Sequence, residues 1–89
     1  MTIKVERSWR GLRYRFEVSL LRVGFRLVAT NLDAGGEVEY RGGDGRWQRF
    51  VRDRRRGAST TDYVLDRELV TLLDSVAADA KAQEEASIS

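Results

Sequence analysis

The chain has 89 residues, of which 42% are hydrophobic and 34% are charged, with a formal net charge of +2 and neither cysteine nor histidine. This length predicts one domain with a thin hydrophobic core, which self-association would extend. The lack of cysteine excludes a disulfide framework and a thiolate site. No apolar run approaches the length of a membrane span or a signal peptide, so we expect a cytoplasmic protein with no membrane partner.

Charge is distributed unevenly along the chain. Residues 1–57 contain 14 basic and 7 acidic residues, a net charge of +7, whereas residues 58–89 contain 2 basic and 7 acidic residues, a net charge of −5. Such an asymmetry indicates either an anionic partner or self-association. Nearly all of the basic residues are arginines, whose planar guanidinium group suits phosphate and carboxylate.

The first two thirds of the chain predict a β-sheet. Apolar residues alternate with polar ones in two runs, first at Leu12, Tyr14, Phe16, Val18 and Leu20 and then at Val23, Phe25, Leu27 and Ala29. This period of two is typical of strands with one buried face. A turn near Leu20 to Gly24 would pair Val18 with Phe25. The same register would place Glu17 opposite Arg26.

Two further hairpins complete the predicted meander. A four-residue loop after the first strand would place Ile3 beside Phe16. Farther along, the sequence Gly-Gly-Asp-Gly at residues 42–45 predicts the tip of a hairpin that pairs Tyr40 with Trp47. Successive strands joined in this way form an antiparallel meander of four to five strands.

The last third of the chain predicts one long amphipathic helix. Its apolar positions recur at helical spacing, at Leu65, Leu69, Leu72, Leu73, Val76 and Ala80. The start of the helix has two interpretations: residues 59–61 cap it, or Thr61 to Leu65 form a last edge strand and Asp66 is the N-cap. We favour the second. We expect residues 83–89 to fray as a polar tail.

The predicted fold is therefore α+β: an antiparallel meander followed by one long C-terminal amphipathic helix packed on the sheet, in a single domain over residues 1–82. Without histidine and cysteine, only carboxylates and unassisted hydroxyl groups remain for catalysis. No acidic loop has the ligand spacing of a hard-cation site. We expect no catalytic residue, no cofactor and no metal, hence a binding protein and not an enzyme.

The densest positive charge lies in residues 46–57. This segment has a net charge of +5, with one acid and the arginines Arg46, Arg49, Arg52, Arg54, Arg55 and Arg56. Trp47 and Phe50 are interleaved with them. Arginines on phosphates and aromatic rings under bases are the contacts that single-stranded nucleic-acid binding uses. Trp47 has a second interpretation, which is burial opposite Tyr40 in the hairpin.

Trp9 and Arg10 form a second candidate site. An aromatic residue flanked by arginines at the tip of a loop has the composition of an interface hot spot. Alternatively, Trp9 folds back over the open end of the sheet.

The acidic helix offers a further interpretation of the arginine segment at residues 46–57, because its carboxylates could pair with the arginines of that segment within one chain or across the two-fold axis of a dimer.

The stretch from Tyr63 to Leu69 predicts a strand that runs into a helix. With the preceding meander, it resembles in outline the Whirly and transcriptional-coactivator type of single-stranded DNA-binding domain. The resemblance implies DNA binding and dimerisation through the helix.

Two functions fit these observations. The leading hypothesis is non-catalytic binding of DNA or RNA, with the candidate contacts Arg46, Trp47, Arg49, Arg52, Arg54, Arg55, Arg56, Trp9 and Arg10. The alternative is a protein-binding module, either a homodimeric regulator or a small inhibitor of the mobile-element or phage type that occludes a macromolecular partner. Small size and bipolar charge fit both.

Overall fold

The computed structural model describes residues 2–53 and 58–88, and the side chains of residues 51–53, 58–60 and 88 lie outside that description. Its strands are β1 (Thr2–Trp9), β2 (Leu12–Leu20), β3 (Phe25–Asn31), β4 (Glu37–Gly43), β5 (Arg46–Asp53) and β6 (Ala58–Tyr63), and its helix is α1 (Arg67–Ile88). The strands form one antiparallel sheet in chain order. The predicted α+β meander with a C-terminal helix is confirmed. The described part of the sheet has six strands, one more than the upper limit of the prediction.

The β1–β2 hairpin is tighter than the predicted four-residue loop. Arg10 and Gly11 alone form the turn, with φ angles of 51° and 77°, and such left-handed pairs match the twist of a two-residue hairpin. The pairing therefore shifts by two residues, and Val5 lies opposite Phe16 where we predicted Ile3. The shift keeps the apolar side chains on one face.

The β2–β3 turn is longer than predicted. The Leu21 N–H donates to the Gly24 carbonyl oxygen at 3.1 Å, which closes a four-residue turn. Val18 therefore lies opposite Leu27, and Glu17 lies opposite Val28. The predicted pairing of Glu17 with Arg26 is wrong for this reason.

The β4–β5 hairpin closes on Asp44 and Gly45, whose φ angles are 51° and 78°. This two-residue turn places Gly42 opposite Trp47, where we predicted Tyr40. Gly42 has a φ of 153°, and a Cβ atom there would overlap the carbonyl oxygen of Arg46. Only glycine fits this position, because the strand beside Trp47 approaches too closely for any side chain.

Asp66 caps α1, as we favoured from the sequence. Its Oδ1 accepts hydrogen bonds from the backbone N–H groups of Glu68 at 3.0 Å and Leu69 at 3.4 Å, which satisfies donors of the first turn. Leu65 precedes the helix and is 88% exposed, so its assignment to the apolar stripe is wrong. The helix continues to Ile88, through most of the tail for which we expected fraying.

The core lies between α1 and one face of the sheet. Its buried members are Ile3, Val5, Phe16, Val18, Leu27, Ala29, Tyr40, Trp47, Leu73, Val76, Ala77 and Ala80. Within residues 2–53 and 58–88, no element covers the opposite face, which we call the open face. No helix in these ranges has the length and apolarity that a membrane crossing needs.

Candidate functional site

Two aromatic residues occupy neighbouring strand positions on the open face. Phe50 lies opposite Thr61, and Gln48 lies opposite Tyr63, so Phe50 and Tyr63 occupy diagonal positions on adjacent strands. Trp47 points toward the helix, and strand alternation therefore directs Phe50 away from it. Tyr63 is 72% exposed and Phe50 is half-buried. The sheet thus presents an accessible aromatic pair.

Arginines lie on the same face as this pair, and one of them contacts Phe50. The Arg41 guanidinium carbon lies 4.7 Å from the centre of the Phe50 ring, a cation–π contact. Arg26 and Arg41 each donate from Nε to Glu39, at 2.8 and 2.9 Å. Burial of Glu39 by itself raises its pKa, but the hydrogen bond and charge of Arg26, together with the charge of Arg41, hold that pKa below its ordinary value. Glu39 is therefore ionised, and two arginines share its single negative charge.

Arg46 adds a positive charge without a carboxylate partner. It begins β5 opposite Gly43, is exposed, and makes no ion pair with any residue that the structure describes. Strand alternation relative to Trp47 places it on the open face. On the face that carries the aromatic pair, the three arginines Arg26, Arg41 and Arg46 are therefore accompanied by one carboxylate that pairs with them, that of Glu39.

The remaining candidates from residues 46–57 divide between the faces or lie outside the described residues. Arg49 is on the helix-side face, where its Nη2 lies 3.6 Å from Oδ2 of Asp62. Arg52 belongs to β5 by its backbone, but its side chain is outside the description. Arg54, Arg55 and Arg56 lie outside the described residues altogether. Of the predicted arginines whose side chains the structure describes, only Arg46 lies on the open face with Phe50, four residues before it on β5.

The assignment of Trp47 to a binding surface requires correction. Its side chain is 1% exposed, and its Nε1 donates to Oδ1 of Asp74 on α1 at 2.8 Å. Trp47 is therefore a core residue, as in the second of its two interpretations, although its opposite residue is Gly42. It is not accessible for stacking on a base.

Trp9 and Arg10 are also engaged within the chain. Trp9 ends β1 and is half-buried, and the Arg10 guanidinium lies over its ring at 4.4 Å. Nη2 of Arg10 lies 2.9 Å from Oδ2 of Asp66 and 3.4 Å from Oε2 of Glu68. Trp9 is thus a strand residue and not a loop tip, and Arg10 already holds carboxylates at the start of α1. This pair is a poor candidate for an external partner.

The carboxylates of Asp66 and of α1 therefore pair with arginines of β1 and of the β1–β2 turn. Besides Arg10, Arg7 of β1 forms an ion pair with Asp79. Among the described side chains, no residue of 46–57 forms an ion pair with the helix. The interpretation in which the helix neutralises residues 46–50 within one chain is not supported there.

Sequence reasoning missed Arg26, Arg41 and Tyr63 as members of the site. They come from three different strands, and their proximity depends on the pairing register. One signal was present: alternation along β5 places Trp47 and Phe50 on opposite faces, so that burial of the first implies that the second lies on the open face. In the described ranges, no group of three acidic side chains is arranged to hold a metal ion.

Comparisons with known proteins gave no match, whether to a family model, a curated protein or a solved structure. The resemblance to Whirly-type domains therefore stays a prediction from the sequence pattern. The chemistry of the chain's own residues is the basis for a function.

Proposed function

We propose that this chain is a non-catalytic module that binds single-stranded nucleic acid on the open face of its sheet. The observation that supports the proposal is that Phe50 and Tyr63 share the open face with Arg26, Arg41 and Arg46, and that Arg41 contacts the Phe50 ring. Aromatic platforms next to guanidinium groups are the shared chemistry of single-strand binding, because every base has a stacking face and every nucleotide a phosphate. The lack of cysteine suits a reducing compartment, and we propose the cytoplasm as its location.

Bases would stack on the two rings. Tyr63 is open to solvent, whereas the face of Phe50 is occupied by the guanidinium group of Arg41. A base that stacks on Phe50 takes that position and releases Arg41 toward a phosphate. Arg46 needs no such exchange, since it has no carboxylate partner among the described residues.

Single strands fit this surface better than a duplex. The major groove of B-DNA admits a helix or a two-stranded ribbon, and the open face spans six strands in the described ranges. Stacking also requires bases that are not already paired. We therefore expect preference for an unpaired strand over a duplex of the same sequence.

The first test removes one ring. Tyr63→Ala should weaken binding of a labelled oligothymidylate by about 5- to 150-fold, the equivalent of about 1–3 kcal/mol for one stacked base. Tyr63→Phe retains the ring and should bind as the wild type does. Fluorescence anisotropy measures the affinities, and circular dichroism checks that each variant is folded. Equal affinities for the Ala and Phe variants would contradict stacking on this ring.

The second test counts phosphate contacts. If Arg26, Arg41 and Arg46 each engage one phosphate, the logarithm of affinity should fall with the logarithm of salt concentration at a slope of about −2. Arg46→Ala should reduce the magnitude of that slope by about 0.7, whereas Arg67→Ala, which removes an exposed arginine of α1, should leave it unchanged. Parallel titrations with DNA, RNA and duplex separate the classes of nucleic acid. No binding to any of them at low salt would refute the proposal and favour the protein-binding alternative.

A further inference from the structure

The two edges of the sheet differ in how well they are protected from pairing with a strand of another chain. At one edge, β1 carries the charged residues Lys4, Glu6 and Arg7. At the other edge, β6 has one charged residue, Asp62, which already faces Arg49. Natural sheets block unwanted pairing at their edges with charges, prolines or bulges. The described β6 has an unbroken register without a bulge, and it contains no proline.

The outer edge of β6 has backbone groups that are ready to pair. The Val64 N–H donates to the Trp47 carbonyl oxygen at 3.0 Å, which identifies this opposing pair as hydrogen-bonded. Hydrogen-bonded and non-hydrogen-bonded pairs alternate along an antiparallel ladder. The N–H and C=O groups of Thr61 and Tyr63 therefore point outward. In the described ranges the helix α1 packs mainly on β1, β2, β4 and β5, so its principal contacts leave this edge uncovered.

Exposed apolar side chains lie at the end of the same strand. Tyr63 is 72% exposed, and Leu65, two residues beyond it, is 88% exposed. In contrast, α1 has no exposed large apolar side chain among its described residues. The helix is therefore a poor surface for self-association, and the β6 edge is the better one.

We infer that β6 pairs antiparallel with β6 of a second copy of this chain, which joins two sheets across a two-fold axis at Thr61. In this register Thr61 lies opposite its own copy, and Asp62 lies opposite residue 60, which is uncharged. The register that pairs Thr61 with Tyr63 would place the two Asp62 carboxylates opposite each other, which is unfavourable. A strand with a single, offset charge is thus complementary to itself.

Pairing makes one open face from two. Phe50, Thr61 and their copies stand in one row across four adjacent strands. At about 4.8 Å per strand, the two Phe50 positions are about 14 Å apart. This consequence rests on the proposed function: a long oligonucleotide that reaches both copies should bind more tightly than a short one through effective concentration.

Sedimentation equilibrium without nucleic acid tests the pairing by itself. Edge pairing of one short strand is at the small end of protein interfaces, so we expect a reversible dimer over the range from about 5 to about 500 µM. Thr61→Pro removes an outward N–H that β5 does not use, and it should weaken dimerisation at least tenfold. Thr61→Val keeps the strand and should dimerise as the wild type does.

A second variant is needed in case the proline substitution prevents folding. Thr61→Lys places like charges opposite each other on the two-fold axis and should also weaken the dimer, at least tenfold. A wild-type chain that is monomeric throughout, or Thr61→Pro and Thr61→Lys chains that both dimerise normally, would overturn the inference. Binding of a short oligonucleotide should survive in both variants. Its absence in the wild type would refute the proposed function and leave the dimer measurement standing.

Discussion

One carboxylate oxygen joins α1, β5 and the β4–β5 turn. Oδ1 of Asp74 accepts the Nε1–H of Trp47 at 2.8 Å and the backbone N–H of Gly45 at 3.1 Å. Trp47 is 1% exposed and is among the largest fully buried side chains of the core. Asp74→Ala therefore removes the acceptor of a buried donor. We expect this substitution to destabilise the fold through the tryptophan.

The expected loss follows from the two donors. A buried N–H without an acceptor costs about 1–3 kcal/mol, whereas the Gly45 N–H is in an exposed turn and loses at most about 1 kcal/mol to water. Asp74→Ala should lower the free energy of unfolding by about 2–3 kcal/mol, out of the roughly 4–13 kcal/mol usual for a domain of this length. Asp74→Asn keeps an acceptor oxygen and should lose about 1 kcal/mol or less.

Urea denaturation followed by far-ultraviolet circular dichroism measures these losses. A double-mutant cycle identifies the donor: in a Trp47→Phe background, where the indole N–H is absent, Asp74→Ala should cost at most about 1 kcal/mol. An equal cost of Asp74→Ala in both backgrounds would refute a stabilising role for the hydrogen bond between Trp47 and Asp74. In that event the carboxylate would act on α1 or on the turn and not through the indole.

Two further variants test Gly42, which lies close to the β4–β5 turn, and the ion pairs of Glu39 with arginines. Gly42→Ala should destabilise the protein by several kcal/mol, because its methyl group would overlap the Arg46 carbonyl oxygen. The control Gly35→Ala, in open space at a φ of 78°, should cost only about 1–2 kcal/mol. Thermal melts compare the stabilities of the two variants. The lowered pKa of Glu39 implies that stability is lost as pH falls below its ordinary value of 4.5, since the unfolded chain then binds the proton first. Glu39→Gln should flatten stability against pH in that acid range, and an unchanged acid slope in urea melts would contradict the role of Arg26.

The sequence predicted faces more reliably than registers. Alternation assigns each strand residue to a side of the sheet, but a shift of two residues preserves every assignment. Ile3 and Val5 are therefore equally acceptable opposite Phe16. The tight turn at Arg10 and Gly11 decides between them. The sequence does not indicate this turn, because arginine is not one of the residue types that favour a left-handed conformation.

The helix was predictable for a different reason. Its apolar stripe extends over several turns, and Asp66 has the chemistry of an N-cap, so that periodicity and capping agreed. The last strand had no comparable pattern, because β6 is rich in serine and threonine and has no apolar alternation. The open-face site was difficult to predict for the same reason, since Tyr63 lies diagonal to Phe50 only when β6 pairs with β5.

The charge asymmetry of the sequence becomes a separation of faces in the fold. Ion pairs hold Asp66, Glu68 and Asp79 on the helix side of the sheet, through Arg10 and Arg7. Because these carboxylates are paired with arginines on the helix side of the sheet, they contribute little net negative charge to the open face. The overall charge of +2 therefore understates the local positive charge that Arg26, Arg41 and Arg46 give to the open face.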